Sequence, residues 1–312
     1  GQFTRLEEPF WSKDLARLSQ GRFSAEIVAF DRAAVPGMQM LQLLRLGVVP
    51  FGTMLVSHVA AQYPQYAAPD MAGLSANLAQ VRTNLDAFRP YLEASLRQQH
   101  GIELLAVYVY PAQVLFCKKA LAGLADLSGR RIRISSNSQA DFVSALGAVP
   151  VRTGFADIMQ ALATDALDCV ITGASSGNTL GLHTATSYLY TMPLTWGMAI
   201  FGANSGVWNT LPPELRELLR RELPALEARI WRDSEHETAM GIRCNSGAPS
   251  CAGASRGRMV VVPVSAQDER LRDEIFRSAV LPRWLQRCGA ECAPLWRSTI
   301  GAARSIALPL AP

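Results

Sequence analysis

The chain has 312 residues, 49% of them hydrophobic and 18% charged, and a net charge of +4. That length exceeds one ordinary core and suits two lobes of roughly 150 residues each, while the apolar content excludes a disordered chain. Basic residues are scattered among acids with no aromatic interleaving, which argues against a nucleic-acid stripe, and no run of about 18 apolar residues offers a membrane span.

The sequence opens on Gly1-Gln2-Phe3 with no charged-then-apolar leader, as a processed chain would. From Glu26 to Phe30 an apolar run reads as a strand. Pro36-Gly37 starts a helix over Met38 to Arg45, stopped by Gly47, and Val48 to Thr53 is a second strand. Strand, helix and strand within thirty residues predict a βαβ unit and a parallel sheet. Residues 77–99 read as helices broken at Pro90, and Leu104 to Tyr110 as another strand.

The middle repeats this grammar. Arg131 to Ser135 is a strand, and Ser138 with Asp141 resembles a capping box for a helix over Gln139 to Leu146, ended by Gly147. Val149 to Arg152, Phe155 to Ala163 and Asp168 to Thr172 follow as strand, helix and strand, giving the β-α-β-α-β core of a doubly wound lobe. After Pro212-Pro213, the stripe Leu215, Leu218, Leu219, Leu223, Leu226, Ile230 predicts a long helix kinked at Pro224. Thirty helical residues reach about 45 Å, enough to run across two lobes.

Six cysteines form two close loop pairs, Cys244 with Cys251 and Cys288 with Cys292, leaving Cys117 and Cys169 in strand-like runs. An even count so spaced points to disulfides and an oxidising compartment. Six cysteines allow 15 connectivities, of which Cys117–Cys169, Cys244–Cys251 and Cys288–Cys292 is the simplest. A structural zinc would need four ligands, and neither a His nor another Cys pair stands at fitting spacing. His58, His100, His183 and His236 are dispersed, so no metal is expected.

Arg131 and Arg133 share one face of their strand, with Ile132 and Ile134 on the other. An arginine turned into a covered parallel sheet needs an anion, and its planar fork matches a carboxylate. The duller reading places both at the strand entrance, in water or paired with Asp126 or Asp141. Ser135, Ser136, Asn137 and Thr172 stand at carboxyl ends of strands, where ligands of open α/β sheets sit, although such residues are also ordinary turn formers. Gly173-Ala174-Ser175-Ser176-Gly177 matches G-x-S-x-G. The glycine-broken stretch after it is a poor helix start, and Asp233 and His236 fall on the long helix. A secreted serine hydrolase using Ser175 is therefore only an alternative. Phe10, Trp11, Trp196, Trp208 and Trp231 read as core, with Trp196 the exception because Thr195-Trp196-Gly197 lies between helices of the two lobes.

Several motifs together resemble the DctP-type solute-binding proteins of tripartite ATP-independent periplasmic (TRAP) transporters, over about Phe10 to Ile300. They are Ser19-x-Gly21-Arg22-Phe23, Pro36-Gly37-x-Gln39, Gly47-Val48-Val49-x-Phe51-Gly52-Thr53, Leu124-x-Asp126-Leu127-x-Gly129-Arg130-x-Ile132-Arg133, Phe155-Ala156-Asp157-Ile158 and Leu167-Asp168. The resemblance implies an α/β, two-lobed periplasmic-binding-protein fold, with mostly parallel sheets, hinge strands and a long connecting helix around a cleft. It implies capture of a small organic acid in the periplasm and delivery to the transporter's membrane subunits, with no catalysis and no cofactor. Arg133 matches the family's carboxylate anchor and Phe155 its cleft phenylalanine. Thr172 falls where sialic-acid-binding members carry Asn, and Gln113 near their second arginine, which points to a different acid. Thr172, Gln113 and Ser136 would supply hydrogen bonds, while Phe10, Phe155 and Trp196 would wall the cleft.

The cysteines are not general to that family, and only nine residues precede Phe10, where members usually carry a strand. The expected division is 1–112 for the first lobe with 204–262 returning to it, and 113–203 for the second with 263–312. The expected state is a monomer that touches neither nucleic acid nor, except through the transporter, the membrane. A binding module of a sensor kinase or an ABC transporter would look the same from sequence.

Overall fold

The computed structural model describes residues 1–29, 35, 37–251 and 255–308. Its elements used below are, in chain order, α1 (Met40–Arg45), β1 (Phe51–Leu55), α2 (Leu78–His100), β2 (Ile102–Val109), β3 (Gln113–Cys117) and β4 (Arg131–Ile134). Then come α3 (Asn137–Ala145), β5 (Val149–Arg152), α4 (Ile158–Ala163), β6 (Cys169–Gly173), α5 (Ala174–Leu180), β7 (Tyr188–Thr195), β8 (Met198–Asn204), α6 (Pro213–Ser246) and β9 (Val260–Val262). The chain divides into two compact units, 1–59 with 89–109 and 198–234, and 60–88 with 110–197 and 235–312.

The first unit holds a three-stranded sheet in the order β1-β8-β2, antiparallel throughout. This corrects the βαβ expectation: β1 finds its partner some 150 residues later, a pairing that local periodicity cannot announce. Glu26 to Ala29 form no strand, and Phe30 and Pro36 lie outside the described residues. Trp11, Phe51, Tyr108, Phe201 and Trp208 close round the sheet as a chain of ring contacts with centroids 5.4 to 6.5 Å apart. Helix α6 covers the free edge of β2, which would otherwise invite pairing. Glu227 accepts the Val107 N–H at 2.8 Å, Trp231 donates to the Val107 carbonyl at 2.9 Å and Ser234 to the Val109 carbonyl at 2.6 Å.

The second unit holds a six-stranded mixed sheet, β5-β4-β6-β3-β7-β9. The β4-α3-β5-α4-β6 segment is parallel, as its sequence grammar implied, whereas β3 runs antiparallel to both neighbours. Helix α3 begins two residues earlier than expected. Ser136, not Ser138, is its cap, accepting the Gln139 N–H. Pro90 does not break α2, which runs unbroken for 23 residues. Proline removes one helical hydrogen bond, and the buried stripe Val81, Leu85, Phe88, Leu92, Leu96 holds the remainder. Residues 60–88 fall in this unit rather than the first lobe, tied by Gly73 N–H to the Leu194 carbonyl and by Arg304 to Asn84. The 235–246 end of α6 belongs here too, where Thr238 accepts the Ala112 N–H.

All six cysteines are paired in the simplest connectivity, Cys117–Cys169, Cys244–Cys251 and Cys288–Cys292. The first clamps β3 to β6 at residues directly opposite in the ladder. No helix of the described residues is long and apolar enough to cross a membrane.

Candidate functional site

Both arginines of β4 lie on one face, and their surroundings separate them. Arg131 is held by Asp168 through two side-chain bonds of 2.8 and 2.9 Å, and Asp168 also accepts the Arg131 backbone N–H. These bonds hold the Asp168 carboxyl down at about 2. The acids named from sequence are engaged elsewhere: Asp141 with Arg287, and Asp126 with the Ala122 N–H. Arg131 is thus a structural ion pair, with a partner the sequence did not single out.

Arg133 is only 6% exposed, and its hydrogen bonds go to neutral carbonyls, Nε to Thr153 at 3.0 Å and Nη1 to Ile171 at 2.9 Å. Among the described residues no carboxylate pairs with it. Burial, and secondarily the charge of Arg152, pulls its pKa down to about 10. A buried guanidinium without a counter-ion is costly. Its remaining N–H groups, on Nη1 and Nη2, have the fork geometry that takes a carboxylate.

Around it, the sheet edge gathers short polar groups. Gln113 stands opposite Gly173 on β6 and Thr195 on β7 in the ladders. Gln113 Nε2 donates to the Pro111 carbonyl at 3.2 Å, and a Cβ at Gly173 would come within 3.3 Å of that nitrogen, so glycine makes room for the amide. Thr172 is buried at the end of β6. Ser136 is occupied by capping, with its Oγ also 3.3 Å from Ser138 Oγ. Phe155 is exposed, as a ligand wall would be. Trp196 is buried, with an indole N–H that finds no partner among the described residues. Phe10 belongs to the first unit, 1% exposed and edge-on to Trp11 at 5.0 Å. A large apolar side chain so fully enclosed is core.

Sequence reasoning missed two residues, Gln139 and Asp70. Gln139, 1% exposed, joins Ser135 to Thr195, and Thr195 is itself only 5% exposed. Asp70 accepts the N–H groups of Trp196 and Gly197 at 2.9 and 2.7 Å, and burial pushes its carboxyl up to about 7 in spite of them. Gly197 has φ +73, a conformation glycine adopts freely. The only sequence signals were a glutamine in the first turn of a helix and an Asp after Pro69, both commonplace.

The G-x-S-x-G match behaves unexpectedly. Contrary to the sequence reading, α5 follows β6 at once, as in a nucleophile elbow. Yet the Ser175 hydroxyl donates to the Glu237 backbone carbonyl at 2.5 Å, and Gly241 packs so closely that a Cβ there would lie 2.4 Å from the Ser175 backbone nitrogen. Asp233 is paired with Arg5. With its hydroxyl proton given to the Glu237 carbonyl, Ser175 is a packing and hydrogen-bonding residue.

Residues 5–240 match the family model described as bacterial extracellular solute-binding protein, family 7. No curated protein matches the chain. Solved structures do. An extracytoplasmic solute receptor of Bordetella pertussis binding pyroglutamic acid is 22% identical, with TM-score 0.80 and 92% of each chain covered. A TRAP periplasmic solute-binding protein of Rhodoferax ferrireducens with bound malonate is 19% identical, with TM-score 0.83, covering 98% of this chain and 94% of that one. A third, from Desulfovibrio salexigens with bound orotic acid, is 16% identical, with TM-score 0.81 and coverage of 96% and 93%. At these identities the likeness is one of fold.

Proposed function

Since the chain belongs to the bacterial extracellular solute-binding proteins of family 7, we propose that it is the periplasmic receptor of a TRAP transporter, binding a small organic acid and handing it to the membrane subunits as a monomer. The observation that carries this reading is Arg133, buried and hydrogen-bonded but with no carboxylate partner among the described residues. The ligand carboxylate completes the pair, and burial strengthens the attraction because little water screens it. Gln113 and Thr172 offer hydrogen bonds beside it, and Phe155 and Trp196 supply apolar surface. Pyroglutamate, malonate and orotate in proteins of the same fold are all small carboxylates, which supports this class.

The test is a thermal-shift screen against small carboxylates, neutral sugars and amino acids. A ligand at 100 times its Kd adds about 2.7 kcal/mol to stability and raises the melting temperature visibly. Acids should stabilise the protein, and Arg133→Ala should abolish the shift. Arg133→Lys should lose most of it, because a point charge lacks the two-pronged geometry. Undiminished binding of the acid by Arg133→Ala would refute the assignment.

A further inference from the structure

The hydrogen bonds of Gln139 have a fixed direction. A backbone N–H can only donate, so the Gln139 atom 2.8 Å from Ser135 N is the amide oxygen, Oε1. That same oxygen lies 3.1 Å from Ser135 Oγ, and a carbonyl has no proton, so the serine hydroxyl must donate to it. The other end of the amide, Nε2, is then a donor 2.9 Å from Thr195 Oγ1, which must accept. Ser135 Oγ has spent its proton and offers only lone pairs. Thr195 Oγ1 keeps its proton, and no acceptor for it stands among the described residues although the side chain is buried. The two oxygens are separated by one amide and two hydrogen bonds, a span a small acid can bridge. Ser135 follows Arg133 by two residues along the chain, and Thr195 stands opposite Gln113 in the ladder.

We propose that Gln139 sets the hydrogen-bonding polarity of the acid site, making Thr195 a donor and Ser135 an acceptor, so that the favoured ligand is a carboxylate carrying its own O–H or N–H. This rests on the acid-receptor reading above and narrows its ligand class to hydroxy acids and lactam or amide acids. Thr195 donates to a ligand oxygen, and Ser135 accepts the ligand's donor. An acid lacking that donor covers the half-buried Ser135 hydroxyl and leaves its lone pairs unpaired, which is how sites that hydrogen-bond their ligand reject isosteres.

The experiment is calorimetric titration of matched acids: pyroglutamate against its lactone analogue 5-oxotetrahydrofuran-2-carboxylate, malate against succinate, lactate against propionate. In the pair that binds best, the donor-bearing acid should bind at least tenfold tighter. Ser135→Ala should erase the preference. So should Gln139→Met, which keeps the length and leaves both hydroxyls free to turn. Gln139→Glu still accepts from Ser135 but also from Thr195, turning that hydroxyl away from the ligand. It should cost about tenfold in affinity, and adding Thr195→Val should cost no more. A merely structural Gln139 would lower the melting temperature and leave both Kd and the preference unchanged. Equal binding within the pair, a preference that survives Ser135→Ala, or additive losses for Gln139→Glu with Thr195→Val would overturn the inference while Arg133→Ala still abolished binding. If none of these acids bound, or if they bound Arg133→Ala as well, the acid site itself would fall.

Discussion

In the first unit every strand pairing is antiparallel, aromatic rings pack round the sheet, and helix side chains answer the β2 edge. In the second unit the sheet is mixed, and β3, β4, β6 and β7 bring hydroxyls, amides and an uncompensated guanidinium to one region. A sheet optimised for stability leaves no buried polar group without a partner. Both units fall short of that rule, the first at the Trp11 and Trp208 indoles and the second at the Trp196 indole, so what sets the second apart is Arg133, a buried cation whose hydrogen bonds go to neutral carbonyls.

The largest effect that should separate the two units is at Arg133. Arg133→Met should lose affinity for acids by about a thousandfold, since a buried charge pair deprived of one partner costs about 3–5 kcal/mol. The ligand-free protein should melt no lower, and even higher, because an unpaired buried charge has been replaced by an apolar side chain. A melting temperature several degrees lower with acid binding intact would make Arg133 a structural residue of the second unit.

Phe10 should behave oppositely. Phe10→Ala should destabilise the protein by about 3–4 kcal/mol, the usual cost of emptying an enclosed aromatic position, and leave the Kd for acids unchanged below the melting temperature. Calorimetry on the folded variant checks both. An affinity loss without destabilisation would return Phe10 to the ligand wall that its place in the sequence suggested.

A smaller effect is expected from Asp70. Its carboxyl titrates near 7 in the folded protein against an ordinary value near 4, so between those pH values the folded state holds a proton that the unfolded chain does not. Its contribution to stability is therefore greatest at low pH and falls as pH rises through that window. Relative to Asp70→Asn, the protein should lose stability as pH rises from about 4 to about 7. A constant difference between the two melting curves over that range would show that Asp70 titrates normally.

The parallel core of the second unit was legible in the sequence because its elements are short and β4 lies between β5 and β6, the two strands that follow it in the chain. The first unit was not, since Phe51–Leu55 pairs with Met198–Asn204 and nothing local in either segment names the other. The same limit holds within the site. Period-two spacing put Arg131 and Arg133 on one face, but only the neighbouring start of β6, with Asp168 before it, decides which of them is spoken for. Gln139 was invisible for a different reason: its importance lies in the direction of its hydrogen bonds, and direction is a property of the folded arrangement.

The least effect, and the sharpest internal control, belongs to Arg131. Its side chain and that of Asp168 are partly exposed, at 43% and 23%, so their pairing should contribute little to stability and be weakened by salt. What it does contribute has a definite sign. The Asp168 carboxyl is held near 2, below the ordinary value, so the stabilisation is complete above about pH 4 and is lost as pH falls toward 2. Arg131→Ala should therefore lower the melting temperature slightly at neutral pH, converge with the parent at pH 2, and bind acids with unchanged Kd. Two arginines two residues apart on one strand would then answer to different demands, one to the fold and one to the ligand. If Arg131→Ala abolished acid binding as fully as Arg133→Ala, that division would be wrong, and the Arg131–Asp168 pair would have to be counted as part of the binding site.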